Sequence, residues 1–541
     1  MQEGKFMASG QIVTTEQMQS LEREALKQGV TNEDLMESAG LAVAQECWMA
    51  MGTMEGRPVL VICGPGTNGS DALIAARHLH GYGASVFVYL TDPRDDSDRS
   101  WAAVQELGIP FAVANADGEF EELEVLLERA TMVLDGIFGI GFDAKKRPID
   151  GIYAEILNRL QAAAAAVPPV RVIAVDISSG LNSDTGQADA CSVPAEMTVT
   201  FGFSKVGHYV GDGRKYSGRT VEVDIGIPGS ALESVKIPYQ SLRLHDLRRV
   251  LPARPNDGHK GTFGRLLVIA GSKNYPGAAR LAIEAAARTG VGSVTLAAPE
   301  SIQSLLVSLP DISHMPLFDV GGYLGGKAAA KELLNELRTR SFKSILLGSG
   351  IGNNEDTVDF VREFLTGLDE VVSIDFQGLV IDADGLNALA LIEDWRTLTE
   401  QVIIITPHLG EMAALSGLQV DYIRQNKLKV AADYAQKLQS TVVLKGPGTV
   451  ISNINGEARL SDIASSALSH GGTGDVLAGI TGGFLAQQIN SYDAASAAVY
   501  MHAEAARQVS EVYGDAATLA SDIVRALPDA RKILDPPTAN I

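Results

Sequence analysis

Only three cysteines occur in 541 residues, Cys47, Cys63 and Cys191, and they are widely spaced and odd in number. They form neither a zinc-ligand pattern nor a disulfide framework, which suits a reducing compartment. Basic residues are scarce too: 44 Lys and Arg against 66 Asp and Glu leave a net charge of -22. A phosphate-backbone binder needs a basic face, and only short runs such as 144–147 are present, so nucleic acid is not an expected partner. Long hydrophobic runs are missing as well. No stretch approaches the roughly 18 to 20 apolar residues that cross a bilayer, and the first residues lack the apolar run of a signal peptide. No membrane partner is expected, and the expected location is cytoplasmic. There is no short-period repeat and no Walker A lysine pattern, so a P-loop NTPase is not supported.

What is present is globular composition, 46% hydrophobic and 20% charged, in a chain long enough for about two to four domains. Many of the 55 glycines directly follow short Val, Ile and Leu runs. That is how βα loops read in parallel α/β domains, whose buried strands are continuously apolar. Such runs lie at 59–63, 85–90, 131–134 and 170–175, with a helix expected over 71–80. A second set lies at 265–270, 293–297, 344–347, 402–405 and 441–444. Between the sets, 227–264 carries Pro228, Pro238, Pro252 and Pro255 among polar residues. A boundary there gives expected domains 1–235 and 236–541. The fold class is α/β in both, the first a Rossmann-like three-layer αβα sandwich.

In the first half, Gly64-Pro-Gly-Thr-Asn-Gly69 follows a strand and opens a helix. It fits a dinucleotide loop, with Asp92 after the next strand as the ribose acid, or a tight βα turn with no ligand. Asp135 and Asp176 both fall at carboxyl ends of parallel strands, where open sheets bind ligands. A lone Asp there is often a cap or turn acceptor. Two of them, beside a loop carrying Asn68 and Asp71, make an oxygen-rich site suited to a hard cation.

Leu35-Met-Glu-Ser-Ala-Gly40, Cys63-Gly-Pro-Gly66, Asp135-Gly-Ile-Phe-Gly139 and Asp176-Ile-Ser-Ser-Gly180, in that order, resemble the NAD(P)H-hydrate epimerase family over roughly 11–230. The resemblance implies potassium ligands at Asn68, Asp135 and Ser179. It implies substrate contacts from Thr67, Asn68, Gly69, Ser70 and Asp71, from Gly139, Ile140, Gly141, Phe142, Asp143, Ala144 and Lys145, and from Asp176. Asp176 is also the candidate for the proton transfers of epimerisation. The family's loop reads Asn-Asn-Gly-Gly-Asp-Gly; here it is Thr67-Asn-Gly-Ser-Asp-Ala72. Ser70 and Ala72 thus add a Cβ where the family has none.

In the second half the clearest signal is Gly471-Gly-Thr-Gly-Asp475 running into a helix. Free N–H groups and the positive dipole end make such a start an anion site. Asp475 in the first turn would stand beside a bound phosphate and could accept a hydroxyl proton, or simply satisfy the helix dipole. Gly271-Ser-Lys-Asn-Tyr-Pro-Gly-Ala278, Gly348-Ser-Gly-Ile-Gly352 and Thr406-Pro-His408 also fall at strand ends, as do Asp382 and Asp384. Lys445-Gly-Pro-Gly-Thr449 reads as a hairpin connection.

These motifs resemble the ADP-dependent NAD(P)H-hydrate dehydratase family over roughly 245–530, which implies a ribokinase-like α/β domain. By resemblance, Ala278, Gly350, His408 and Asp475 face the hydrated nucleotide, with Asp475 the catalytic base. Lys445, Gly446, Pro447, Gly448, Thr449 and Gly474 bind the adenosine nucleotide. Leu409 stands where the family has proline. Both resemblances in one chain imply the bifunctional NAD(P)H-hydrate repair family. The substrates are then the hydrates of NADH and NADPH, the cofactors ADP, K⁺ and Mg²⁺, and the assembly a homo-oligomer. The alternative is a small-molecule kinase of the ribokinase-like class behind an N-terminal nucleotide-binding module without epimerase activity.

Overall fold

The computed structural model describes residues 10–535 apart from 144, 145, 256, 307, 308 and 464. The chain divides between Gln240 and Ser241 into two compact units. In the first, β1 (Pro58–Cys63), β2 (Ser85–Leu90), β3 (Phe111–Val113), β4 (Met132–Gly136), β5 (Arg171–Val175), β6 (Met197–Phe201) and β7 (Arg219–Val223) form one sheet. Its order is β3-β2-β1-β4-β5-β6-β7, parallel throughout.

Both faces are covered. Val59, Val61 and Cys63 of β1 join one apolar cluster and Leu60 and Ile62 the other, the period of two that a strand imposes. The first cluster takes in α1 (Thr15–Lys27), α2 (Asn32–Met51), α3 (Thr67–Gly81) and α4 (Arg99–Glu106); the second takes in α5 (Glu121–Arg129) and α6 (Gly151–Ala165). This is the three-layer αβα sandwich expected. Strand order reverses between β1 and β4, the place where open parallel sheets leave a crevice at their carboxyl ends.

In the second unit the strands of the main sheet are β8 (Arg265–Ile269), β9 (Ser293–Pro299), β10 (Ser313–Leu317), β11 (Ser344–Leu347), β12 (Gly378–Ile381), β13 (Ile403–Ile405), β14 (Thr441–Leu444), β15 (Val450–Ser452) and β16 (Ala458–Leu460). They run β10-β9-β8-β11-β12-β13-β14-β15-β16. Pairing is parallel up to β14 and antiparallel for the two strands after it. The 445–449 loop is therefore the β14–β15 hairpin, as its sequence suggests. One face carries α7 (Pro276–Ala287), α9 (Thr473–Ala486) and α10 (Ser491–Tyr513), and α8 (Leu409–Ser416) follows β13. α9 approaches α7 closely because Gly479 has no side chain: a Cβ there would sit 2.2 Å from the Ala282 carbonyl oxygen. Among the described residues no helix is long and apolar enough to cross a membrane.

Candidate active sites

At the β1/β4 switch point lies a cleft of about 700 Å³. α3 begins at Thr67, so the glycine loop supplies its first turn, and Gly66 before it offers no side-chain cap. The N–H groups of that turn have no intrahelical acceptor. Helical phase then sorts the expected contacts. Thr67, Asn68 and Asp71 line the cleft, whereas Gly69 and Ser70 do not. Ser70 instead accepts from Arg94 Nη1 at 2.9 Å, and a Cβ on Gly69 would meet the Gly64 carbonyl oxygen at 2.0 Å. The Ser70 departure is thereby turned from the ligand side towards Arg94. Ala72 packs over β4, where a Cβ on Gly136 would lie 2.5 Å from its methyl.

Gly139, Ile140, Gly141, Phe142 and Asp143 line the same cleft, as does Asp176; Ala144 and Lys145 lie outside the described residues. Asp176 adopts φ +63°, unusual for a residue with a side chain and the kind of strain that collects at functional sites. Its Oδ1 accepts from Phe201 N–H at 2.9 Å, Thr200 Oγ1 at 3.0 Å and the ammonium of the wholly buried Lys205.

The three expected potassium ligands gather around the Phe138 backbone. Asn68 Nδ2 donates to Phe138 O and Phe138 N–H donates to Ser179 Oγ, both at 2.9 Å. Asp135 accepts from Ser179 N–H at 2.8 Å and Ser179 Oγ at 2.5 Å. Asp135 is fully buried, burial pushes its carboxyl up, and among the described residues no lysine or arginine pairs with it. The Asn68 amide, the Asp135 carboxylate and the Ser179 hydroxyl are oxygen donors of the kind a hard monovalent cation takes.

In the second unit, Lys445, Gly446, Pro447, Gly448, Thr449 and Gly474 all line one cavity of about 330 Å³. Lys445 Nζ donates to the buried Asp382 at 2.7 Å and stands 3.7 Å from Glu411. Burial alone would lower its ammonium pKa, but Asp382 and Glu411 outweigh that and hold it above the ordinary value. A Cβ on Gly474 would lie 3.4 Å from Lys445 Nζ, so the start of α9 meets this ion pair. Asp475 follows in the first turn. Burial, then the Asp382 charge, raises its carboxyl to about 7.

Ala278, Gly350, His408 and Asp475 do not line that cavity. Gly350, at φ +67°, touches α7: a Cβ there would be 2.8 Å from Ala278 Cβ, so those two expected contacts adjoin. His408 caps α8, its Nδ1 accepting from the N–H groups of Gly410 at 3.0 Å and Glu411 at 3.1 Å. Helix α8 starts well with Leu409 in place of proline.

A family model described as NAD(P)H-hydrate dehydratase matches residues 266–529, and one described as YjeF-related protein N-terminus matches 32–207. The bifunctional NAD(P)H-hydrate repair enzyme of Moorella thermoacetica is 33% identical over 526 residues, 96% of each chain. That of Methanothermobacter thermautotrophicus is 34% identical, over 94% of this chain and 92% of its own. This chain belongs to the bifunctional NAD(P)H-hydrate repair enzyme family. Its N-terminal unit matches the YjeF-related model and its C-terminal unit the NAD(P)H-hydrate dehydratase model. A solved ADP/ATP-dependent NAD(P)H-hydrate dehydratase from Bacillus subtilis, co-crystallised with ATP and Mg²⁺, is 28% identical. It covers 55% of this chain and 98% of its own, with a TM-score of 0.47.

Within this repair-family frame the structure adds residues that sequence reasoning passed over. Lys205 holds Asp176, and its signal was a lysine embedded in Thr200-Phe-Gly-Phe-Ser-Lys-Val206. Lys146, Arg147 and Tyr153 line the first cleft, and Phe138 stacks on Phe142 with centroids 4.3 Å apart. Lys427 is buried beneath the 445–449 loop, donating to Pro447 O at 3.0 Å, and burial lowers its ammonium to about 7. Among the described residues no three His, Cys, Asp or Glu side chains form a metal-holding group.

Proposed function

We propose that this chain repairs hydrated NADH and NADPH in two steps. Residues 1–235 interconvert the R and S hydrates, and residues 236–541 dehydrate the S hydrate with ADP, restoring NAD(P)H and releasing AMP and phosphate. Full-length kinship with the repair enzymes supports the pairing of activities. The observation that carries the dehydratase half is the meeting of Gly474, Asp475, Lys445 and Asp382 beside a cavity lined by the whole 445–449 loop.

The nucleotide lies along that loop, its phosphates towards Gly474 and the start of α9. Asp475 accepts the proton of the substrate hydroxyl, whose oxygen takes the phosphoryl group. A hydroxyl leaves poorly and a phosphate well, so elimination then restores the dihydropyridine ring. Ala278, Gly350 and His408 hold the hydrated nucleotide. Magnesium, bound with the nucleotide, would neutralise phosphate charge.

In the first unit, Thr67 to Asp71 and Gly139 to Lys145 receive the substrate, and Asp176 serves its proton transfers. Asn68, Asp135 and Ser179 would hold potassium, which would offset the Asp135 carboxylate. The chain works in the cytoplasm, in keeping with three free cysteines, and as a homo-oligomer.

The test is product analysis. The full chain is incubated with the S hydrate, ADP and Mg²⁺, and reduced nicotinamide, AMP and phosphate are measured together. Equal amounts of the three support the reading. A phosphorylated product that accumulates with ATP, without recovery of the reduced ring, would replace it with a kinase.

A further inference from the structure

The first cleft contains a second acid whose surroundings set it apart from Asp176. Asp71 and Asp176 both line the cleft and are 8% and 6% exposed. Asp176 has a cation of its own. Lys205 Nζ spends its donors on Asp176 Oδ1, on Thr200 Oγ1 at 2.9 Å and on Phe201 O at 3.1 Å. All the donors to Asp176 meet at Oδ1; Oδ2 takes none among the described residues. Among those residues no hydrogen bond or ion pair reaches the Asp71 side chain. Burial, then the Asp176 and Glu22 carboxyls, raise it well above the ordinary carboxylate range, and Arg94 and Lys205 offset this only in part. Arg94 is committed to Ser70, Asp98 and the loop carbonyls. Behind Lys205, the buried His208 is kept neutral, its pKa lowered to about 3 by burial, then Lys205, then Arg214 against the Asp176 charge.

We propose that Asp71 and Asp176 form an acid–base pair for epimerisation, and that Lys205 is the positioning residue that holds the Asp176 carboxylate in place. The inference rests on the epimerase reading above. Water added across an enamine leaves the hydroxyl on the carbon beside the ring nitrogen. Asp71 gives its proton to that hydroxyl. The C–O bond breaks with its electron pair going to oxygen, water departs, and the nitrogen lone pair forms a C=N bond. A water on the other face then bonds to the same carbon and passes its proton to the Asp176 carboxylate. One proton leaves Asp71 and one arrives at Asp176. The reverse epimerisation starts from the state this leaves, and a relay through cleft water resets the pair.

The test uses the full chain without ADP, following epimer interconversion by chromatography in H₂¹⁸O. Asp71→Asn should lower kcat by at least ~100-fold with KM changed by less than about threefold. One solvent oxygen should enter per epimerisation. Lys205→Met removes a positive charge that lowers the Asp71 pKa, so the high-pH limb of the kcat–pH profile, set by Asp71, should move to higher pH. Dehydration of the S hydrate by the same variant, together with its melting curve, reports on folding. Asp71→Asn with kcat within about threefold of the parent, epimerisation that retains the original oxygen, or a Lys205→Met profile scaled down without moving would each overturn the proposal. If Lys205→Met does not fold, Asp71→Asn and the isotope still decide. A parent chain with no epimerisation at all would instead refute the epimerase reading itself.

Discussion

Replacing Asp475 with Asn probes the dehydratase chemistry through one atom. The side chain keeps its size and loses its basicity. With the carboxyl raised to about 7 by burial and the Asp382 charge, the group is near half-ionised at neutral pH, where a general base works well. Loss of such a base costs ~10²- to 10⁴-fold in rate, or ~3 to 5 kcal/mol of barrier. The sign of the pH effect follows: the ionised form is the base, so parent kcat should fall about tenfold per unit below pH ~7. That limb should vanish in Asp475→Asn. Initial rates of NADH recovery from the S hydrate with ADP measure both. Epimerisation, assayed in the same preparation, should be unchanged. Dehydration within about threefold of the parent, or equal loss of both activities, would refute Asp475 as the base.

Lys445→Met strands the buried Asp382 without its cation, which should lower unfolding free energy by ~3 to 5 kcal/mol and weaken ADP binding; adding Asp382→Asn should recover part of the stability. Denaturant melts of the single and double variants decide it. Gly350→Ala places a methyl 2.8 Å from Ala278 Cβ at φ +67°, so it should cost ~1 to 3 kcal/mol and raise KM for the hydrate, read by melting and by kinetics. Asp135→Asn removes the buried carboxyl of the proposed potassium site. Its melting temperature should no longer rise when potassium replaces a bulky organic cation, whereas the parent's should.

The interior of the fold was legible because buried parallel strands read as unbroken apolar runs. The runs at 85–90, 344–347 and 441–444 match their strands end to end. Edge strands were not legible. Phe111–Val113 is three residues long, Arg219–Val223 mixes Arg219, Thr220 and Glu222 with two valines, and Ser313–Leu317 contains Pro316. An edge has one partner and solvent on one side, so its signal is short and mixed. In the site, motifs pointed to strand ends and helix starts. They did not resolve which loop residues face the cleft, since that depends on α3 beginning at Thr67 rather than after the loop. Nor could they pair Lys205 with Asp176 or Lys445 with Asp382, 29 and 63 residues apart, because the sheet alone brings those residues together.

Recovery of the reduced-nicotinamide absorbance from a mixture of NADH-hydrate epimers, with ADP, Mg²⁺ and K⁺, tests the two-step repair most directly. The parent chain should restore the whole mixture, and Asp176→Asn should restore the S fraction quickly and then stop. A parent chain that itself stopped at the S fraction would contradict the epimerase, and one that restored nothing would contradict repair altogether.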